Sequence, residues 1–289
     1  MGSLIQAYCR GEKLQQQIHE AKKSGSENEF DIWWLGQSGF LIQWNKGCVL
    51  FDPYLSDSLT KKYATTNKPH VRMSELVIEP DLLDCINVVT SSHNHTDHLD
   101  ADTLKPLLKV NPEIKFIIPE ANRAFVSERV GCSQAFPIGL NDAEMTHIKG
   151  FDFYGVPAAH NELERDEHGY CKYMGYVIKF GQWTIYHSGD TLWYDSMVDT
   201  LKPFNIDVAF LPINGNEPSR KVAGNLNCEE AARLGKEIKA RLVIPHHYDM
   251  FEFNTANPND FKSEAERYHQ SYRILQLGEH WNSKSLTQG

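Results

Sequence analysis

Residues 93–98 read His93-Asn94-His95-Thr96-Asp97-His98, and only Ser92 separates them from the apolar run INVVTS at 86–91. That adjacency constrains the chain more than any other feature. A short continuous apolar run bounded by turn residues reads as a buried strand. Such a strand gives an imidazole-rich loop a rigid base at the edge of a sheet. Three of the chain's 13 histidines sit in this one turn, with a carboxylate among them. A loop of His, Asn, Thr and Asp can be merely polar, but this density, with matching residues elsewhere, points to metal chemistry. The alternate spacing of His93 and His95 lets both imidazoles face one ion, leaving Asp97 and His98 free for a second.

One loop cannot close a coordination sphere, so donors must come from elsewhere. Candidates stand where other strands end: His160 after FYGVPAA, Asp190 after TIYHSG, His246 or His247 after RLVIP, and Asp52 in LFDP. Each also has a plainer reading. His160 alone is a structural histidine, and Asp52 and Asp190 can cap turns beside Pro53 and Gly189. His246 and His247 are neighbours on a strand, so their side chains point to opposite faces and one of them is the ligand.

The rest of the chain supplies a frame for these ends. Residues 4–23 have the pattern of an amphipathic helix, an N-terminal extension over about 1–25. Then β-prone runs at 31–35, 40–44 and 48–52 alternate with Gly- and Asn-containing turns. A helix capped by Asp100 or Asp102 is predicted over 100–110, a strand at 116–119 and a helix at 121–130. Residues 145–187 read mostly as strand, with a hairpin pairing 176–180 and 183–187. Strands at 206–213 and 241–247 and helices at 228–240 and 261–275 complete the pattern. Strand groups with interspersed helices predict an α/β fold of two packed sheets with helices outside. No linker, repeat or low-complexity tract divides the chain, so 1–289 reads as one domain.

Composition excludes some functions. The net charge of −9 without a Lys/Arg stripe argues against nucleic acid as partner. No apolar run approaches the ~20 residues of a membrane helix, and the N-terminus reads as lacking a signal segment. The six cysteines lack any paired spacing and read as reduced thiols, so a cytoplasmic protein is expected.

With these residues in place, the chain resembles the metallo-β-lactamase superfamily. His93, His95, Asp97 and His98 match its His-x-His-x-Asp-His motif; its later ligands fall on His160, Asp190 and His247, and its supporting aspartate on Asp52. The resemblance implies a four-layer αββα sandwich with a binuclear site on the shared edge of two sheets. Within the superfamily the chain looks most similar to the L-ascorbate-6-phosphate lactonase-like branch, through Trp33-Trp34-Leu35-Gly36, Tyr186-His187-Ser188-Gly189-Asp190, Ile206-Asp207-Val208-Ala209 and Ile244-Pro245-His246-His247. The register of that last piece favours His247. The lactonase pattern admits aspartate where this chain has His160. A relation to the N-acylphosphatidylethanolamine phospholipase D group is also implied, by residues 92–100 and 211–218.

Read this way, His93, His95 and His160 hold one ion, Asp97, His98 and His247 another, and Asp190 bridges. Two ions about 3.5–4 Å apart lower the pKa of a shared water to about 7, so a metal-bound hydroxide attacks a carbonyl or phosphorus. Asp97 relays the proton. Imidazole and carboxylate donors permit two divalent ions of Mn or Zn. Arg220 and Asn216, in the loop after residues 206–213, and Tyr248 beside His247 are expected to bind an anionic substrate, and His187 to orient a ligand. The expected activity is hydrolysis of a small anionic lactone or ester such as a sugar-phosphate lactone. Its rivals are a phosphodiesterase of the phospholipase D-like type and a non-catalytic metal-binding protein. A homo-oligomer without stable membrane insertion completes the expectation, with the N-terminal helix covering the sandwich, docking on a membrane or joining subunits.

Overall fold

Backbone hydrogen bonds near the N-terminus move the first helix. In the computed structural model, which describes residues 4–287, the Ile5 N–H donates to Met73 O and the Tyr8 N–H to Leu277 O. These bonds hold the first described residues extended, so α1 covers Gly11–Ser24 rather than 4–23. Residues 1–3 of the expected extension, like 288–289, lie outside the described residues. Gly25, left-handed at φ 60°, closes the helix on Ala21 O.

β1 (Phe30–Gly36), β2 (Gly39–Trp44) and β3 (Gly47–Phe51) then form an antiparallel meander. After α2 (Ser58–Tyr63) come β4 (Val88–Thr90), α3 (Ala101–Val110), β5 (Lys115–Pro119), α4 (Arg123–Val130) and β6 (Ile138–Leu140). Asp100 caps α3, its carboxylate accepting from the N–H groups of Asp102 and Thr103. β7 (Met145–Ile148), β8 (Phe151–Pro157), β9 (Met174–Phe180) and β10 (Trp183–His187) follow as antiparallel neighbours. The last part holds α5 (Met197–Leu201), β11 (Val208–Pro212), α6 (Cys228–Glu237), β12 (Leu242–His246), α7 (Pro258–Arg267), β13 (His280–Asn282) and α8 (Lys284–Thr287).

Two mixed sheets result, ordered β13-β1-β2-β3-β4-β5-β6 and β12-β11-β10-β9-β8-β7. Each joins an antiparallel part to a parallel one. β3 through β6 run parallel in the first sheet, and β10 through β12 in the second. Phe40 of β2 stacks on Phe210 of β11 at 3.9 Å between ring centroids, and Phe30 meets Phe180 and Trp183 edge-on. These contacts join the sheets face to face. Replacing a buried phenylalanine of this kind with alanine costs about 3–5 kcal/mol. α1 lies against β2, and α6 against β11, β12 and α7.

Two differences from expectation have local causes. The helix expected over 261–275 stops at Arg267. Val243 of β12 donates its N–H to Ser271 O and accepts from the Arg273 N–H, which draws residues 271–273 out along the strand. β6 and β13 are three-residue strands at or near sheet edges, too short to carry a period. Among the described residues, no helix is long and apolar enough to cross a membrane.

Candidate metal centre

The candidate donors all leave C-terminal strand ends. His93–His98 follow β4, Asp190 follows β10, His160 follows β8 and His247 follows β12, while Asp52 follows β3. Parallel pairing of β3 with β4 and of β10, β11 and β12 delivers most of these ends to one rim, and β8, antiparallel to β9 as β10 is, points the same way.

β12 ends on His246, and His247 sits in the left-handed region at φ 65°, its N–H donating to Gln37 O at 3.1 Å. That turn separates the two rings. His246 points between the sheets, 3.1 Å from Ser38 Oγ and stacked on His187 at 5.2 Å. His247 Nε2 instead lies 3.3 Å from Asp190 Oδ2 and 3.8 Å from Asp97 Oδ2.

Three overlapping groups gather at this point: His93, His95 and His160; His93, His98 and Asp190; and Asp97, His98 and His247. Within each group the donor atoms lie within 4.8 Å of one another. Asp190 reaches both sides, with Oδ1 3.2 Å from His98 Nε2 and Oδ2 3.7 Å from His160 Nε2. His160 Nε2 is 3.2 Å from His95 Nδ1.

Hydrogen bonds on the far ring nitrogens aim the near ones inward. The His98 Nδ1–H donates to Asp52 Oδ2 at 2.7 Å, the His160 Nδ1–H to Gly224 O at 2.9 Å, and the His93 Nδ1–H to Ser92 Oγ at 3.0 Å. His93 Nε2, His98 Nε2 and Asp190 Oδ1 are left buried without a hydrogen-bond partner. Buried polar atoms are otherwise almost always partnered, and three such electron-pair donors converging fit a cation. None of the clustered donors is a thiolate.

The protonation pattern agrees. Burial pushes His93 well below the ordinary imidazole value and His160 down to about 4, and it lowers His95 as well. Against their own burial, His98 and His247 hold Asp190 well below the carboxylate range, and His98 lowers Asp97. His98 is raised against burial by Asp190 and Asp97. Neutral His93, His95 and His160 beside ionised Asp97 and Asp190 are in the donor state that metal binding requires, whereas His98, held charged by its carboxylates, has a proton to release on binding.

Asp52, fully buried, organises the turn. It accepts from Thr90 Oγ1 at 2.9 Å, from the Ser92 N–H at 3.1 Å and from Ser92 Oγ, besides His98. His187 lies behind the donors. Its Nε2–H donates to Ser38 O at 2.8 Å, its Nδ1 accepts from the Gly189 N–H at 3.1 Å, and its ring stacks on Phe51. It therefore fixes the turn that carries Asp190 and touches no candidate ligand by hydrogen bond.

Residues 31–247 match the family described as the beta-lactamase superfamily domain. A UPF0173 metal-dependent hydrolase of Thermococcus kodakarensis is 30% identical over 80% of this chain and 90% of its own. The chain belongs to the UPF0173 metal-dependent hydrolase family of the metallo-β-lactamase superfamily. A member from Methanosarcina mazei is 26% identical over 82% of this chain and 91% of its own. Two solved structures share the metallo-β-lactamase fold. A metallo hydrolase of Ignicoccus hospitalis aligns at TM-score 0.65, 22% identity, 88% of this chain and 98% of its own. An isothiocyanate hydrolase from Delia radicum gut bacteria aligns at 0.68, 20%, 87% and 98%.

Above the donors this hydrolase has a cavity of about 300 Å³. The substrate residues expected from sequence do not line it. The Arg220 guanidinium is spent on Asn214 O and on Thr255 O at 3.2 Å. Tyr248 is buried, stacked on Trp34 at 4.4 Å with its hydroxyl donating to Leu275 O. Asn216 is exposed beside Gly224. The walls come instead from Leu59, Tyr63, His70, Phe251 and Phe253, with Lys62, Arg129, Asn94 and Asn254 as polar groups. Gln37 also went unread. Buried in the β1–β2 turn, its Nε2 donates to Asp97 Oδ2 at 2.8 Å and lies 3.0 Å from His247 Nε2. A glutamine at a strand end on the same rim was the only signal for it.

Proposed function

We propose that this metal-dependent hydrolase opens a small lactone or ester that carries negative charge. One observation carries the reading: a cavity of about 300 Å³ sits directly over the converging donors, with Lys62 and Arg129 in its wall. That volume is at the small end of the range for ligand pockets. It suits a sugar-sized molecule far better than a two-chain lipid.

His93, His95 and His160 would hold one divalent ion, and Asp97, His98 and His247 a second, with Asp190 between them. The nitrogen and oxygen donors suit Mn or Zn. When bound, such ions lower the pKa of a coordinated water to about 7 and stabilise an oxygen that gains charge. The protein's own residues do the rest. Asp97, whose side chain is 16% exposed against 3% for Asp190, faces the cavity. It takes the proton of the attacking water at Oδ1, the oxygen Gln37 does not cap, and hands it to the leaving oxygen. Lys62 draws the anionic group toward the wall. Arg129, whose Nη1 donates to Asn94 O at 2.6 Å and Leu99 O at 3.3 Å, adds positive charge there through the rest of its guanidinium. Asn94 Oδ1 and Asn254 Nδ2 offer partners to hydroxyls.

The apolar side of the cavity favours a second reading. His70 stacks on Tyr63 at 4.2 Å and meets Phe253 edge-on at 4.6 Å. Such a wall suits a small electrophile with an apolar tail, of the kind the isothiocyanate hydrolase acts on by its name.

The test is turnover by metal-free protein reloaded separately with Mn and Zn, on a phosphorylated sugar lactone, an aryl isothiocyanate and a chromogenic phosphodiester. Fastest metal-dependent opening of the lactone is expected, with complete loss in Asp190→Ala. Fastest cleavage of the diester would overturn the reading in favour of a phosphodiesterase.

A further inference from the structure

At the opposite rim from the metal centre, where Cys48 lies near the start of β3 and Cys85 in the turn before β4, two thiols meet. Cys48 Sγ and Cys85 Sγ lie 4.0 Å apart. The Cys48 N–H donates to Asn87 Oδ1 and Cys48 O accepts from the Asn87 N–H, both at 2.9 Å, so the two chain segments are held side by side. Cys48 is buried, whereas Cys85 is partly exposed. Cys85 borders a surface pocket of about 520 Å³ that it shares with His19, Lys22, Lys23, Lys46 and Asp84.

Lys22 Nζ donates to Cys85 O at 2.8 Å, which fixes one cation beside the sulfur. His19 Nε2 and Asp84 Oδ1 satisfy each other at 2.7 Å. These two atoms and Cys85 Sγ lie within 4.8 Å of one another, but with His19 and Asp84 already paired the sulfur is the group left to react. Burial pushes the thiols of Cys132, Cys171 and Cys228 up. Cys85 moves the other way, to about 7, through its hydrogen bond with Cys48 and, against burial, the charges of Lys22 and His19. Its buried partner Cys48 moves up.

We infer that Cys85 and Cys48 form a second reactive site, a dithiol that reduces small disulfides carrying carboxylates, with Lys22, Lys23 and Lys46 drawing the reagent in. The Cys85 thiolate attacks one sulfur of the reagent, a mixed disulfide forms, and the other half leaves as a thiolate. Cys48 then gives up its proton and attacks Cys85 Sγ. The Cys48–Cys85 disulfide forms and the second half leaves, protonated in solution. Two electrons pass from the cysteine pair to the reagent, and no other oxidant is needed. A disulfide requires about 2.05 Å between sulfurs, so the turn that carries Cys85 and the β3 residue Cys48 must close from 4.0 Å.

The test uses the full chain, reduced and then exposed to oxidised glutathione, followed by free-thiol titration and intact mass. Wild type is expected to lose two thiols without an adduct, and peptide mapping to join Cys48 with Cys85. Cys48→Ala is expected to stop at a glutathione adduct on Cys85, and Cys85→Ser to slow the reaction at least about tenfold. Lys23→Gln with Lys46→Gln should slow oxidised glutathione several-fold while leaving neutral hydroxyethyl disulfide unaffected. Reaction of Cys85→Ser at the wild-type rate, or no bond between Cys48 and Cys85 in wild type, would overturn the inference. Equal slowing of both reagents in the lysine variant would overturn the role given to the lysines.

Discussion

Replacing Asp52 with asparagine tests whether the metal donors depend on a residue that touches no metal. The carboxylate accepts four donors: the Thr90 hydroxyl, the Ser92 N–H, the Ser92 hydroxyl and the His98 Nδ1–H at 2.7 Å. Burial opposes its charge, yet His98 and His187 hold it below the carboxylate range. Asparagine keeps the shape, removes the charge and presents an N–H₂ group where His98 needs an acceptor. His98 Nδ1 then loses its charge-assisted bond, worth about 1.5–3 kcal/mol. The imidazole is released to the tautomer that carries its proton on Nε2, the atom aimed at the site. Loss of such an outer partner costs about 10–100-fold in metal affinity, or about 1.4–2.7 kcal/mol, so the two routes agree. The assay is competition against a chelator with Zn and with Mn, on protein whose folding is checked by circular dichroism. Thr90→Val, which removes one donor to Asp52 without touching His98, is the control and should change affinity by less than about threefold. Folded Asp52→Asn binding both metals as tightly as wild type would refute the reasoning.

Other outcomes follow from particular contacts. Lys62→Gln should raise KM for an anionic substrate about tenfold with little change in kcat, whereas Arg220→Gln should act through stability. A KM effect confined to Arg220→Gln would restore the sequence expectation. Gly189→Ala should cost about 2–4 kcal/mol and loosen metal binding, because Gly189 has φ 60° and an added Cβ would lie 2.6 Å from Ser92 Cβ and 2.7 Å from Met174 O. Chemical denaturation with and without metal reads both effects. Burial raises the Tyr54 hydroxyl from 10 to about 12, so the unfolded chain loses that proton first. Its stability contribution is complete below pH 10 and is lost as pH rises toward 12, by about 2–3 kcal/mol. Tyr54→Phe should flatten the stability profile by about one proton in that window, and an unchanged slope would remove Tyr54 as the cause.

Local pattern determined much of this protein. An apolar run ending in His93-Asn94-His95-Thr96-Asp97-His98 marks both a buried strand and the donors at its end. The short runs that became β1, β2 and β3 are legible for the same reason: a strand's period lies within a few residues. His160, Asp190 and Asp52 each stand just past such a run. Their convergence needed only that strand ends share a rim, which parallel pairing provides for β3 and β10, and an antiparallel step through β9 for β8. α1 starts later and α7 stops earlier than local pattern indicates because the bonds that limit them come from Met73, Leu277 and Val243, distant in sequence, and α7 also begins three residues sooner, at Pro258.

Tertiary structure alone decided what the rim is made of. The turn at His247, with φ 65° and its N–H on Gln37 O, sends that ring to the site and His246 between the sheets. Alternation along a strand only says that the two must differ. Gln37 reaches Asp97 and His247, 60 and 210 positions away. Arg220 looked like an anion binder until its guanidinium was seen to close on backbone carbonyls, while Lys62 and Arg129 came from helices that carry no motif. The residue types that can hold a metal are a chemical property and can be read one at a time. The wall that meets a substrate is assembled from segments brought together by burial, and a contact between distant residues leaves no mark on either one alone.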